Sequence, residues 1–151
     1  MNMQIVDAVS PAQIQQVRGL FEEYWNSFGF TPCFQGFGAE LAALPGDYSR
    51  IWLALADGAA AGCVAIRRLD ADRVEFKRLY VRPQFRGSGL GRTLLAAVVD
   101  AARAGGYREL VCDTMPVMAD ALAMYQRAGF QIVEPYSDRA TPGAIYLRLA
   151  V

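Results

Sequence analysis

The most informative stretch of the chain consists of three adjoining segments, EFKRLYV (75–81), RPQF (82–85) and RGSGLG (86–91). They are predicted to form a strand, a short turn and a glycine-rich loop that opens a helix. Glycines let the backbone approach a ligand closely, and the free N–H groups and dipole at a helix start favour phosphate oxygens. The loop is therefore predicted to bind a pyrophosphate, with Arg86 and Arg92 adding positive charge. The alternative is that the glycines only form a tight turn into the helix.

Two other nucleotide-binding motifs fit this loop poorly. A phosphate-binding Walker loop needs Gly-Lys followed by Ser or Thr, which the segment lacks. A Rossmann fingerprint belongs in an early βαβ unit with a later acidic residue for the ribose, whereas this loop follows four predicted strands. Both classes of nucleotide-binding protein are therefore disfavoured.

The remaining secondary structure is predicted from hydrophobic periodicity and from turn and cap residues. Ser10 and Pro11 begin a helix that ends near Phe28, and Asp57-Gly58 turns between two strands. The element order is βααβββαβαββ, which predicts an α/β fold of the α+β type with one mixed sheet flanked by helices. The predicted strands are 3–9, 51–56, 60–69, 73–81, 109–113, 130–134 and 144–150, and the other predicted helices are 39–44, 90–104 and 117–128.

Composition limits the class of protein. The 151 residues are 54% hydrophobic and carry 15 basic and 15 acidic side chains, which fits one domain over 1–151 and gives no sign of nucleic-acid binding. The chain has no histidine, which excludes histidine-based catalysis. Its widely spaced Cys33, Cys63 and Cys112 suit reduced, buried thiols and neither disulfides nor a metal site. No leader or spanning segment is evident, so a soluble, cytoplasmic protein without membrane contact is expected.

Two motifs resemble those of the GNAT superfamily of N-acetyltransferases. Arg86, Gly89 and Gly91 fill its Arg/Gln-x-x-Gly-x-Gly/Ala pattern after a strand ending in Val. The segment Tyr125-Gln126-Arg127-Ala128-Gly129-Phe130 matches its Tyr-x-x-x-Gly-Phe. The resemblance implies a mostly antiparallel sheet of about seven strands, with a V-shaped splay between the fourth and fifth. It also implies acetyl-CoA as co-substrate and no metal.

The same resemblance implies which residues bind acetyl-CoA. The backbone of the strand before the loop would pair with the pantetheine arm, and the N–H near Leu79 would polarise the thioester carbonyl. The implied cofactor-binding residues are Leu79, Tyr80, Val81, Arg86, Gly87, Ser88, Gly89, Leu90, Gly91 and Arg92.

Glu75 and Tyr125 are the candidate catalytic residues. An attacking amine must lose a proton, and a departing thiolate must gain one. Glu75 lies six residues before Val81, where several members of the family carry a catalytic glutamate, and would act directly or through water. Tyr125 is placed on the helix after the splayed strand, and its phenol is suited to donate a proton. The alternatives are a solvent-facing strand glutamate and a core tyrosine.

The acceptor side carries weaker signals. Asp113-Thr114 ends the splayed strand, where Asp113 would contact the pantetheine, shape the acceptor pocket or merely cap the next turn. Glu22 or Glu23 is available for an ammonium group. Aromatic residues that either line the cleft or simply pack in the core are Tyr24, Trp25, Phe28, Phe34, Phe37 and, on a late loop, Tyr136. If several of them line the cleft, the acceptor is small and partly apolar.

The function expected from these observations is acetyl transfer to a primary amine, on a small molecule or a peptide, by direct attack in a ternary complex. An acyl-enzyme is disfavoured because Cys63 and Cys112 lie on apolar strands. One alternative is a CoA-binding sensor or regulatory module with little activity. Another alternative is a structural or interaction domain. Whatever the function, pairing of the closing strands between two copies would give a homodimer.

Overall fold

The computed structural model describes residues 2–27, 37–136 and 143–151. The order of helices and strands is the predicted one, with a short 3-10 turn, Pro83–Phe85, added after the fourth strand. The strands are β1 (Met3–Asp7), β2 (Arg50–Ala56), β3 (Ala59–Arg68), β4 (Arg73–Val81), β5 (Glu109–Thr114), β6 (Gln131–Val133) and β7 (Ile145–Ala150). The helices are α1 (Pro11–Asn26), α2 (Phe37–Ala43), α3 (Leu90–Ala104) and α4 (Ala119–Arg127).

The seven strands form one sheet in the order β1-β2-β3-β4-β5-β7-β6. β4 and β5 run parallel, and the other neighbouring strands pair antiparallel, which confirms the predicted mostly antiparallel sheet. The β2–β3 hairpin turns at Asp57 and Gly58, both with positive φ, as the sequence indicated.

β4 and β5 separate soon after they meet. Their register extends only from Arg73↔Glu109 to Glu75↔Val111, although β4 continues to Val81. On the other side of β4, its register with β3 shifts between Cys63 and Ala65, and Arg78 has a left-handed φ of 61°. An extra residue on one strand bends that strand and ends regular pairing. The bulge at Arg78 thus accompanies the predicted splay, beyond which one edge of β4 has no strand partner among the described residues.

The two faces of the sheet carry different cores. Leu94 and Val98 of α3 pack with Val74 and Phe76 of β4 on one face. Val17, Leu20 and Phe21 of α1 pack on the other face with Leu53, Cys63 and Tyr80. Fully buried Leu and Phe side chains each contribute roughly 2 kcal/mol through apolar burial. These contacts fix α3 and α1 on opposite sides of the splay.

Several predicted boundaries move by one to three residues. β1 ends at Asp7 because Ser10 and Gln13 form a capping box, and Val9, 78% exposed, donates its N–H to the Gln13 side chain. α4 starts at Ala119 because a turn closes from the Met118 N–H to the Met115 carbonyl. The expectations for Phe28, Cys33 and Phe34 lie outside the described residues.

Candidate active site

The glycine loop leads into the amino terminus of α3 in the way that the sequence predicted. Gly87 and Gly89 have φ of 81° and 85°, a region that residues with a Cβ adopt only at a cost. Gly89 is the N-cap of α3 and offers no side-chain cap, whereas buried Leu90 anchors the first turn in the core. The Ser88 hydroxyl donates to the Phe85 carbonyl at 2.6 Å. The first N–H groups of α3 therefore have no side-chain cap, as an anion-binding helix start requires.

Two arginines flank this helix start. Arg86 donates from Nε to the Val81 carbonyl at 3.0 Å, and its guanidinium lies 5.8 Å from the centre of the Tyr80 ring. If Gly89 carried a Cβ, that atom would lie 3.8 Å from Nη2 of Arg92, so the Arg92 guanidinium lies next to the loop. Both cations thus stand beside the loop, in positions suited to a phosphate group.

Leu79, Tyr80 and Val81 form the end of β4 that borders the splay. One edge of this segment pairs with β3 through Gly62↔Val81 and Cys63↔Tyr80. The opposite edge lies beyond the last residues that pair with β5. An extended ligand with amide groups can hydrogen-bond to such a free strand edge.

The carboxylate of Glu75 is buried and held from two sides. Glu75 is 2% exposed, its Oε1 accepts from Arg67 Nε at 2.8 Å, and its Oε2 accepts from the Tyr136 hydroxyl. Burial, and then the charge of Glu75, raises the pKa of Tyr136 well above its ordinary value, so the phenol keeps its proton. Glu75 is therefore no solvent-facing strand glutamate, and Tyr136 is brought to it from the late loop.

Tyr125 lies on the opposite face of the sheet from Glu75. It is 4% exposed, with its ring 5.3 Å from Phe76 and 5.9 Å from Phe130. Burial raises its pKa well above the ordinary value, with smaller contributions from Cys112, Tyr24 and Asp113. The ring packs in the core against Phe76 and Phe130.

The aromatic residues of α1 and α2 surround Arg78, a residue that sequence reasoning missed. Arg78 is 8% exposed and binds Glu40 of α2 through two contacts, Nε–Oε2 at 3.0 Å and Nη2–Oε1 at 2.9 Å. Its guanidinium carbon lies 5.0 Å from the Trp25 ring, 5.4 Å from Phe37 and 5.8 Å from Tyr24. Buried Trp25 and Phe37 stack on each other, so they pack in the core, whereas Tyr24 is only partly buried.

Asp113 faces Lys77 across the splay. The carboxylate Oδ1 and the ammonium Nζ lie 3.5 Å apart, with 20% and 16% of the side chains exposed. Thr114 is buried, and its hydroxyl contacts the sulfur of Met118. Lys77 was not predicted as a site residue, although a lysine two positions after Glu75 on the same strand was a signal that it would share that face.

Glu23, one of the two glutamates considered for an ammonium group, already has partners in the structure. Its carboxylate accepts from Arg82 Nη2 at 2.7 Å and Nε at 3.0 Å, and from the Tyr80 hydroxyl at 3.3 Å. These contacts fix the start of the loop against α1. Glu22 is exposed on the same helix.

Two features are absent from residues 2–27, 37–136 and 143–151. No group of three or more His, Cys, Asp or Glu residues there could hold a metal ion. No helix there combines the length and apolar character needed to cross a membrane.

The chain matches the Acetyltransferase (GNAT) family over residues 15–130. It is also 34% identical over 154 residues to an uncharacterized N-acetyltransferase of Schizosaccharomyces pombe, covering 98% of this chain and 94% of that protein. Together with the fold and the loop geometry, these matches show that the chain belongs to the GNAT acetyltransferase family and is an acyltransferase.

Solved structures agree with this assignment at the level of the fold. An acetyltransferase from Streptococcus agalactiae superposes with a TM-score of 0.83 at 21% identity, covering 99% of this chain and 98% of that one. A GNAT family acetyltransferase from Elizabethkingia anophelis, solved with acetyl-CoA bound, superposes with a TM-score of 0.68 at 20% identity and 99% coverage of both chains.

Proposed function

We propose that the protein transfers the acetyl group of acetyl-CoA to a primary amine by direct attack in a ternary complex. The observation that carries this proposal is the buried Glu75 carboxylate, held by Arg67 and Tyr136 beside the point where β4 and β5 separate. An acceptor for the amine proton thus stands next to the free edge of β4.

The donor is expected to occupy the loop and the splay. The α3 amino terminus binds the pyrophosphate between Arg86 and Arg92, and the pantetheine amides pair with the edge from Leu79 to Val81. The Leu79 N–H then polarises the thioester carbonyl. A single donor of this kind contributes roughly 10²–10³ in rate, because it stabilises charge that develops only in the transition state.

The proton of the attacking amine leaves through Tyr136 to Glu75. As the nitrogen–carbon bond forms, the Tyr136 oxygen takes the amine proton while Tyr136 gives its own proton to Oε2 of Glu75. The hydrogen bond already present between these two groups supports this relay. It also explains how a carboxylate that is 2% exposed can serve an external amine.

The departing sulfur receives its proton from Tyr125. When the carbon–sulfur bond breaks, the phenol donates to the thiolate, which leaves as CoA, and water restores the tyrosine proton. Because burial raises the pKa of Tyr125, the phenol remains neutral until sulfur becomes basic. Its position on the face opposite Glu75 keeps the proton donor apart from the proton acceptor.

Direct attack is supported by the state of the described cysteines. Cys63 and Cys112 are both buried, and burial raises the pKa of each thiol. A nucleophilic cysteine needs an accessible thiolate, which neither position provides. The acetyl group therefore passes to the amine without an intermediate on these thiols.

The proposal is tested by incubating the protein with acetyl-CoA and a panel of primary amines covering amino acids, polyamines, aminoglycosides and peptides. Release of CoA and the mass of the acetylated product are followed together, and acetyl-CoA binding is measured by calorimetry. We expect CoA release and N-acetyl product with at least one amine class. Binding without any product would instead favour a CoA-binding sensor, and absence of binding would contradict both.

A further inference from the structure

The β4 side chains between Glu75 and Arg78 form three ion pairs, and these differ in tightness. Arg67 meets Glu75 at 2.8 Å, and Arg78 meets Glu40 through contacts of 2.9 and 3.0 Å. The third pair, Lys77 and Asp113, approaches only to 3.5 Å. Charged hydrogen bonds are usually about 2.7–2.9 Å long. The Lys77–Asp113 pair is therefore the one that a ligand can open at least cost.

The position of this loose pair is set by the register of the two splayed strands. Glu75 and Val111 are the last paired residues, and Lys77 and Asp113 each follow two positions later. Residues two apart on a strand share a face, so the pair spans the gap where it begins to open. Its charges thus border both the candidate proton acceptor and the free edge of β4.

We infer that the acceptor is an α-amino acid, whose ammonium and carboxylate groups replace the Lys77–Asp113 contact with one contact to each partner. This inference rests on the proposed function and names its substrate class. Asp113 would bind and orient the amine, and Lys77 would bind the carboxylate. The two charges of an α-amino acid are attached to one carbon, so they suit partners that already lie side by side.

The exchange favours an acceptor that carries both charges. An amine without a carboxylate would pair with Asp113 in place of Lys77. The Lys77 side chain, which is 16% exposed, would then lose its charged partner. Leaving a largely buried charge unpaired is costly, whereas an amino acid satisfies both side chains.

The amine bound at Asp113 would stand close to the proton relay. The pKa of Tyr136 is raised by burial and then by Glu75, with a further contribution from Asp113, so the hydroxyl lies within the field of both carboxylates. Tyr136 packs edge-on against Tyr146, with ring centres 4.9 Å apart, and Tyr146 is the β7 residue opposite Asp113. The ammonium bound at Asp113 first releases one proton to water through that carboxylate, which frees the nitrogen lone pair for attack. As the nitrogen–carbon bond forms, Tyr136 takes the second proton and Asp113 keeps its contact with the remaining N–H.

The test compares each amino acid with two relatives that lack the carboxylate charge. Leucine is compared with leucinamide and 3-methylbutylamine, and phenylalanine with its amide and phenethylamine. For the wild-type protein we expect kcat/KM to favour the acid by about tenfold or more, as a charged contact contributes. Lys77→Met should raise KM for the acid by about tenfold, leave the amide and the plain amine nearly unchanged, and keep acetyl-CoA binding. Lys77→Arg should retain part of the preference.

Arg108→Gln is the control, because Arg108 is 82% exposed and its pair with Asp72 lies away from the splay. Equal kcat/KM for acid, amide and amine in the wild type, or equal losses in Lys77→Met, would overturn the inference and leave acetyl transfer intact. Amino-acid binding to the CoA-loaded protein is measured alongside. Binding that is lost in Lys77→Met supports the inference even without turnover, and absence of binding at millimolar amino acid contradicts it.

Discussion

The Tyr136 hydroxyl donates a hydrogen bond to Oε2 of Glu75, although 61 residues separate the two in the chain. Arg67 binds the other oxygen of the same carboxylate at 2.8 Å. Glu75 thus has a fixed orientation and a proton-carrying neighbour, which are the two properties that the proposed relay requires.

Removing the Tyr136 hydroxyl should slow the chemical step. Tyr136→Phe keeps the ring that packs on Tyr146 but breaks the link to Glu75. We expect kcat to fall by about 10²–10⁴ while the KM for acetyl-CoA stays unchanged, as for loss of a general acid–base group. Steady-state kinetics measure both, and Tyr107→Phe, on the loop after α3, serves as the control.

A double variant distinguishes the relay from two independent contributions. If the proton passes from Tyr136 to Glu75, adding Tyr136→Phe to Glu75→Gln should cost little beyond the larger single effect. Fully additive losses of log kcat would show that the two residues act separately, and the relay would then be wrong.

The left-handed glycine at the α3 amino terminus gives a matched pair of variants. Gly89 and Gly58 both have φ of 85°, but only Gly89 borders the proposed pyrophosphate site. Gly89→Ala and Gly58→Ala should each destabilise the fold by about 1 kcal/mol, because a Cβ disfavours this conformation. Only Gly89→Ala should weaken acetyl-CoA binding, by about tenfold, since strain there moves the N–H groups that face the ligand.

Urea unfolding and calorimetry measure these two effects separately. Equal acetyl-CoA affinities for the two variants would contradict the placement of the pyrophosphate on the loop. Loss of stability in both with loss of binding in one would support it.

Whether a feature of the fold or site could be predicted from the sequence depends on how far apart in the chain its interacting residues lie. The loop at Gly87 and Gly89 was recognised because its turn and helix start are encoded by neighbouring residues. The Arg78–Glu40 contact joins residues that are 38 positions apart, and arginine is an unusual residue for a left-handed bulge. Neither the contact nor the bulge could therefore be predicted from neighbouring residues. The Glu23–Arg82 pair could not be predicted for the same reason, because 59 positions separate the two residues.

Alkaline pH should destabilise the protein through Tyr24. Burial raises the pKa of Tyr24 from 10.0 to about 12. Because the folded state holds the proton more tightly than the unfolded state, the stabilisation is complete below pH 10 and is lost as pH rises from 10 to about 12. The free energy of unfolding of the wild type should fall relative to Tyr24→Phe by at most about 1.4 kcal/mol per pH unit in that window.

Urea unfolding of both proteins at half-unit steps from pH 9 to about 12 measures this difference. Parallel pH dependence of the two proteins would show that Tyr24 titrates alike in the folded and unfolded states. Other buried tyrosines titrate in both proteins, so the difference isolates Tyr24.

The central claim is that Glu75 accepts the proton of the amine, and single-turnover acetyl transfer by Glu75→Gln tests it most directly. Glu109→Gln is the control, because Glu109 is also a strand glutamate paired with an arginine, Arg148, at 3.3 Å. With the amine that the wild type acetylates best, we expect Glu75→Gln to bind acetyl-CoA normally and to transfer acetyl about 10²–10⁴ times more slowly. A transfer rate for Glu75→Gln equal to that of the wild type and of Glu109→Gln would contradict the claim.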